Sequence, residues 1–120
     1  MLIDGKCHCG RISYAAEIDP ATVGICHCTD CQTMSGSAFR VIVPAPAEGF
    51  RLLSGEPRKY VKTAESGRRR VQAFCADCGT PIYSAAEKDS PAFVLRVGSI
   101  RQRNDLRPTK QTWCLPPPPG

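Results

Sequence analysis

Apolar positions along this chain come in short runs cut by glycine and proline, not in long amphipathic stretches. Residues 11–16 (RISYAA) alternate Ile12 and Tyr14 with smaller or polar residues, the period of a half-buried strand, and Asp19-Pro20 ends the run. Residues 23–25 lead into a cysteine group. Residues 39–43 read as a strand stopped by Pro44 and Pro46, and residues 50–53 as another, bounded by Ser54-Gly55 and Pro57. Residues 59–63 follow, then a turn at Ser66-Gly67, a strand over 70–74, a short one over 82–84 and a last one over 92–97. Only residues 29–35 suggest helix, a short helical turn closed by Gly36. Short strands spaced by turn residues, with little helix, predict a mainly β fold of several short antiparallel sheets.

Composition narrows this picture. The chain has 120 residues, 42% apolar and 22% charged, which is ordinary for one globular domain and excludes wholesale disorder. That domain is expected to span residues 1–115. Residues 116–120 (PPPPG) cannot pair in a sheet and are expected to form a mobile tail. The formal net charge is +5, with a local run at Arg68, Arg69 and Arg70 that reads as a solvated basic loop. The interleaved aromatics of a single-strand platform are missing, so nucleic acid is not the expected partner. No apolar run approaches the ~20 residues of a membrane span. The N-terminal MLIDGK has no signal-peptide pattern, and the expected location is the cytoplasm, where disulfides rarely persist.

Eight cysteines then need another explanation. Seven fall into three tight groups: Cys7 and Cys9; Cys26, Cys28 and Cys31; Cys75 and Cys78. In a reducing compartment such clustering points to metal. Thiolates suit zinc, whose ~2.3 Å bonds to sulfur put the sulfurs of a tetrahedral site about 3.7 Å apart. Both Cys7-His8-Cys9-Gly10 and Cys75-Ala76-Asp77-Cys78-Gly79 can set two thiolates at that spacing, and the terminal glycine lets the chain leave with positive φ. Together they form a closed four-thiolate structural site joining segments 65 residues apart. The middle group, Cys26-His27-Cys28-Thr29-Asp30-Cys31, offers three thiolates in six residues. Three protein ligands and one exchangeable position is the pattern of catalytic zinc. On spacing alone, Cys114, His8, His27 or an acidic residue could instead close that shell, or the thiols could stand without metal. His8 and His27, each set between two cysteines, are expected to point away from the metal. Cys114 is expected to be an idle small residue.

These motifs resemble the glutathione-dependent formaldehyde-activating enzyme family, also called the centromere protein V type domain. The resemblance rests on Gly5-Lys6-Cys7-His8-Cys9-Gly10, Cys26-His27-Cys28-Thr29-Asp30-Cys31 followed by Gly36, and Phe74-Cys75-Ala76-Asp77-Cys78-Gly79-Thr80-Pro81-Ile82-Tyr83. Gly49-Phe50, Ser54-Gly55-Glu56-Pro57, Val97-Gly98-Ser99-Ile100 and the late aromatic Trp113 extend it over nearly the whole chain.

The resemblance implies the mainly β fold called the β-tent and two zinc ions. One would be structural, held by Cys7, Cys9, Cys75 and Cys78. The other would be catalytic and labile, held by Cys26, Cys28 and Cys31. It implies a carbon–sulfur lyase that forms or cleaves a thiol–aldehyde adduct such as S-hydroxymethylglutathione, with a small thiol such as glutathione as partner. Two other functions compete with it: a zinc-stabilised binding module without catalysis, and a thiol redox sensor built on the central group.

Overall fold

The computed structural model describes residues 1–63 and 67–112. Its strands gather into two sheets. β1 (Leu2–Lys6) pairs antiparallel with β2 (Ser13–Glu17), from Leu2 against Glu17 to Lys6 against Ser13, and β2 pairs in turn with β5 (Phe50–Ser54). The larger sheet has seven strands. In spatial order they are β10 (Lys110–Thr112), β3 (Gly24–Cys26), β4 (Arg40–Pro46), β9 (Ala92–Arg96), β8 (Pro81–Ala86), β7 (Arg69–Phe74) and β6 (Arg58–Thr63). All its neighbours run antiparallel except β10 beside β3. One α-helix, α1 (Thr29–Ser35), follows β3 and ends at Gly36 in the left-handed region, where the expected helical turn lies. The chain is therefore mainly β with little helix, as its pattern predicts. No described helix is long and apolar enough to cross a membrane.

The core lies between the two sheets' inner faces. Alternation puts Val43, Leu95, Tyr83 and Ala73 on one face of the large sheet, all buried. Tyr14 and Ala16 of β2 and Ile3 of β1 close over them from the small sheet. Four aromatics join the layers: Phe50 stacks on Phe93 at 4.7 Å, with Tyr83 edge-on to Phe93 at 4.8 Å and Tyr14 tilted on Phe50 at 5.6 Å. Large side chains buried this fully contribute about 1.5–3 kcal/mol each.

The opposite face of the large sheet is polar. The register places Cys26, Arg40, Ile42 and Arg96 on it, together with Gln72 and Ser84. Arg96 donates from Nη2 to Gln72 Oε1 at 2.8 Å, and Arg70 donates from Nη2 to Ser84 Oγ at 3.2 Å. Arg69 is paired to Glu87 at 2.9 Å, so two residues of the expected solvated basic run have partners within the chain.

Three features differ from the sequence expectation. β4 does not stop at Pro44 but runs to Pro46, because β3 pairs only as far as Ile42. Beyond Ile42 no described strand faces that side of β4, so the missing proline N–H groups break no ladder. β1 was not expected, since the first strand read from the pattern begins at Arg11. Here a Cβ on Gly5 would lie 2.4 Å from the Tyr14 ring and 2.6 Å from the Ser99 carbonyl oxygen. Glycine is what allows the ring to lie across the strand. β10, the short parallel edge, was not expected either. The 116–120 tail, Trp113, Cys114 and Ser66 lie outside the described residues.

Candidate metal centres

The first cluster forms where two turns meet. Cys7 follows β1 and Cys75 follows β7, and each opens a tight turn closed by an amide donating back to it: Gly10 N–H to the Cys7 carbonyl at 3.1 Å, Gly79 N–H to the Cys75 carbonyl at 2.8 Å. Gly10 and Gly79 both have positive φ, 84° and 79°, as the Cys-Gly ending of each motif predicts. The four sulfurs lie within 4.8 Å of one another. The Cys7–Cys9 and Cys9–Cys75 separations are 3.5 and 3.7 Å, close to the edge of a tetrahedral thiolate shell.

Several donors point at these sulfurs. Ile12 N–H reaches Cys7 Sγ at 3.2 Å, Asp77 N–H reaches Cys75 Sγ at 3.4 Å, and Thr80 Oγ1 lies 3.2 Å from Cys78 Sγ. The Thr80 hydroxyl and amide draw the Cys78 thiol down to about 5. Cys9 moves the other way, to about 12: the Arg11 amide pulls it down, but desolvation and the thiols of Cys7, Cys75 and Cys78 outweigh that pull. Four crowded thiols cannot all ionise unaided, and a bound cation removes the penalty. The donor set therefore fits a metal ion.

The second cluster is local. Cys26 ends β3, Cys28 caps α1 and Cys31 lies in its first turn. The three sulfurs again lie within 4.8 Å. Cys31 N–H donates to Cys28 Sγ at 3.2 Å, so the helix cap itself holds a ligand atom in place. All three residues are buried, with Ile42 packed against them. Burial, then the neighbouring Cys26 and Cys28 thiols, push Cys31 up to about 12, with Arg40 opposing. This group too could hold a cation.

No histidine or carboxylate joins either cluster among the described residues. His27 Nε2 lies 2.9 Å from Gln111 Oε1, and His8 donates its backbone N–H to Thr80 Oγ1 at 3.0 Å. Cys114, the other residue considered for a fourth ligand, is outside the described residues. The described chain ends at Thr112, which is in register with Cys26.

Sequence reasoning passed over two residues beside the second cluster. Arg40 is 7% exposed and Arg96 also 7%, a degree of burial unusual for arginine. Burial, then the nearby Arg40 charge, bring Arg96 down to about 9, while the Cys31 and Cys26 thiolates oppose the fall. Arg40 Nε is buried and has no hydrogen-bond partner among the described residues. Both arginines line a cavity of about 110 Å³ with Met34 and Gln72. A larger hollow of about 770 Å³, lined by Lys6, His8, Arg101 and Arg103, lies on the side of the first cluster, away from the three-cysteine group.

The family model of the glutathione-dependent formaldehyde-activating enzymes matches residues 2–115. A Penicillium rubens protein named "Putative glutathione-dependent formaldehyde-activating enzyme" is 27% identical over 88 residues, covering 72% of this chain and 45% of its own length. The chain thus spans about half the length of the curated relative it matches. A crystal structure of a Rhodobacter sphaeroides protein superposes with a TM-score of 0.70 at 18% identity, covering 91% of this chain and 99% of that one, a likeness of fold.

Proposed function

The chain belongs to the glutathione-dependent formaldehyde-activating enzyme family, and from that premise we propose that it is a zinc-dependent carbon–sulfur lyase joining or parting a thiol and an aldehyde. Glutathione and formaldehyde are the pair in the family's name. In the forward direction the thiol sulfur bonds to the carbonyl carbon and the thiol proton ends on the oxygen. The reverse step breaks the same carbon–sulfur bond.

The observation carrying this reading is the composition of the second cluster: three buried thiols from one six-residue segment, their sulfurs within 4.8 Å of one another. Cys26, Cys28 and Cys31 would hold the reactive zinc, and Cys7, Cys9, Cys75 and Cys78 a structural one. When bound at three thiolates, zinc supplies a site that acidifies an incoming thiol or polarises a carbonyl oxygen. The chain's own residues prepare that site. The Cys31 amide orients Cys28, the short helix holds Cys31, and strand pairing to Arg40 holds Cys26. Arg40 and Arg96 offset thiolate charge in a region that excludes most water.

The test compares two variants. Cys28→Ser should abolish turnover of S-hydroxymethylglutathione and related adducts and remove one metal ion by native mass spectrometry. Cys114→Ser should keep both metal ions and full turnover. If Cys114→Ser also loses the second ion, the shell is closed and the catalytic reading fails.

A further inference from the structure

The polar face of the large sheet holds two guanidinium groups where physical chemistry disfavours even one. Arg40 and Arg96 are both more than nine-tenths buried and stand on the same face, through the register of Ile42 with Arg96. Arg96 has a neutral partner, the Gln72 carbonyl oxygen at 2.8 Å, and Arg40 Nε has none among the described residues. Among the described residues no carboxylate is paired with either. Buried like charges are sustained only by anions. The three thiolates of Cys26, Cys28 and Cys31 are one source. With a divalent cation among those thiolates, the two arginines leave the region with one positive charge in excess. Among the described residues no further anion offsets that excess.

The cavity shows where it would sit. Arg40, Arg96 and Gln72 line it with Met34, one helical turn beyond Cys31, and with the apolar Phe74 and Pro81. None of the three cysteines lines it, so it adjoins the metal cluster without being its fourth position. At about 110 Å³ it is far smaller than the ~300 Å³ or more of a pocket that encloses a whole ligand. It has room for one end of a molecule. Guanidinium groups match the planar, two-oxygen geometry of a carboxylate.

We propose that this cavity is an anion subsite that takes one carboxylate end of the substrate, so that the chain acts on acidic thiol–aldehyde pairs in preference to neutral ones. The proposal rests on the lyase reading for its meaning, but its test does not. The carboxylate could belong to the thiol partner, as in glutathione or mercaptoacetate, or to the aldehyde, as in an oxo acid. The binding site would be the same.

The experiment is calorimetric titration of the zinc-loaded full chain with acetate and, as a neutral isostere, acetamide. Acetate should bind saturably and acetamide should not. Arg40→Met should weaken acetate at least about tenfold, as loss of a charge-assisted contact implies. Met34→Trp, which fills the cavity from α1 and keeps both charges, should do the same and stands in if Arg40→Met does not fold. In the cobalt-substituted protein, acetate should leave the visible metal bands unmoved. Absence of acetate binding to the wild-type chain overturns the proposal. So does binding that shifts the cobalt bands and survives both substitutions, because the carboxylate is then on the metal. Competition of acetate with mercaptoacetate or with glyoxylate shows which partner carries the group. Failure of all adducts to turn over would sink the lyase reading while leaving the acetate result to stand or fall by itself.

Discussion

Cys7 and Cys75 are among the most buried side chains of the main core, packed with Tyr14, Ile12 and Leu95. Cys26, Cys28 and Cys31 form a cluster of their own, with Ile42 as their apolar neighbour. The first group links the β1–β2 turn to the β7–β8 turn across 65 residues, whereas the second lies within one turn and the start of one helix. A cross-link between distant segments removes far more freedom from the unfolded chain than one within six residues. On the proposed assignment, the same chemistry, thiols around a cation, would stabilise the fold in one place and serve a reaction in the other.

The largest expected effect breaks this comparison at its stronger end. Cys75→Ser should abolish the cooperative thermal melt followed by circular dichroism. A structural zinc site contributes on the order of 10 kcal/mol, which rivals the whole stability of a small domain. Cys28→Ser should keep the melt, lose one metal ion and lower adduct turnover by at least about a hundredfold, more than second-shell changes typically cost. A Cys75→Ser chain that melts normally, or a Cys28→Ser chain that does not fold, would reverse the assignment of roles.

Much of this contrast was legible in the cysteine spacing. C-x-C and C-x-x-C each followed by glycine named the turns at Gly10 and Gly79, and Gly36 named the end of α1. Most strands showed themselves as short runs bounded by turn residues. What escaped was whatever depends on a partner distant in sequence. The strand at Leu2–Lys6 goes unread until Tyr14 is found lying across Gly5 and Arg101 and Gln102 are found holding Asp4. Pro44 and Pro46 read as stops until β3 is seen to end opposite Ile42. Arg40 and Arg96 are ordinary strand residues until the register puts them on one face beside the central thiols. Arginine at an alternating strand position normally means solvent, and only tertiary packing reverses that expectation.

A smaller effect sharpens the claim that the first cluster is built into the core. Gly5 lies two residues before Cys7, and an added methyl there meets the Tyr14 ring and the Ser99 backbone at once. Gly5→Ala should cost about 1–3 kcal/mol in denaturant titration, the range of overpacking. Gly98→Ala, where the new methyl meets nothing within 4 Å and φ lies outside the left-handed region, should be neutral or slightly stabilising. Equal effects at the two glycines would mean that the region ahead of Cys7 yields more easily than its packing indicates.

The smallest effect concerns Tyr14 itself. Its hydroxyl lies 2.6 Å from Ser99 Oγ in the buried layer beside Gly5. Burial raises its pKa to about 12, with Ser99 pulling against the rise. An unfolded tyrosine ionises near the ordinary 10, so between about 10 and 12 the folded chain holds a proton that the unfolded chain has lost. The stability from keeping Tyr14 neutral is therefore complete below 10 and is lost as the pH rises through 12. Tyr83, also raised by burial, adds to the same alkaline decline. Tyr14→Phe should lower stability at neutral pH by about 1 kcal/mol, the worth of one hydrogen bond, and should make the decline above pH 10 shallower. Thiolates bound to a metal stay deprotonated throughout this window, so melting curves of the two proteins between pH 8 and ~12 isolate the tyrosine from the metal centres. If the two curves run parallel there, the ring beside Cys7 is not shielded from water, and the contrast between an embedded cluster and a peripheral one loses one of its supports.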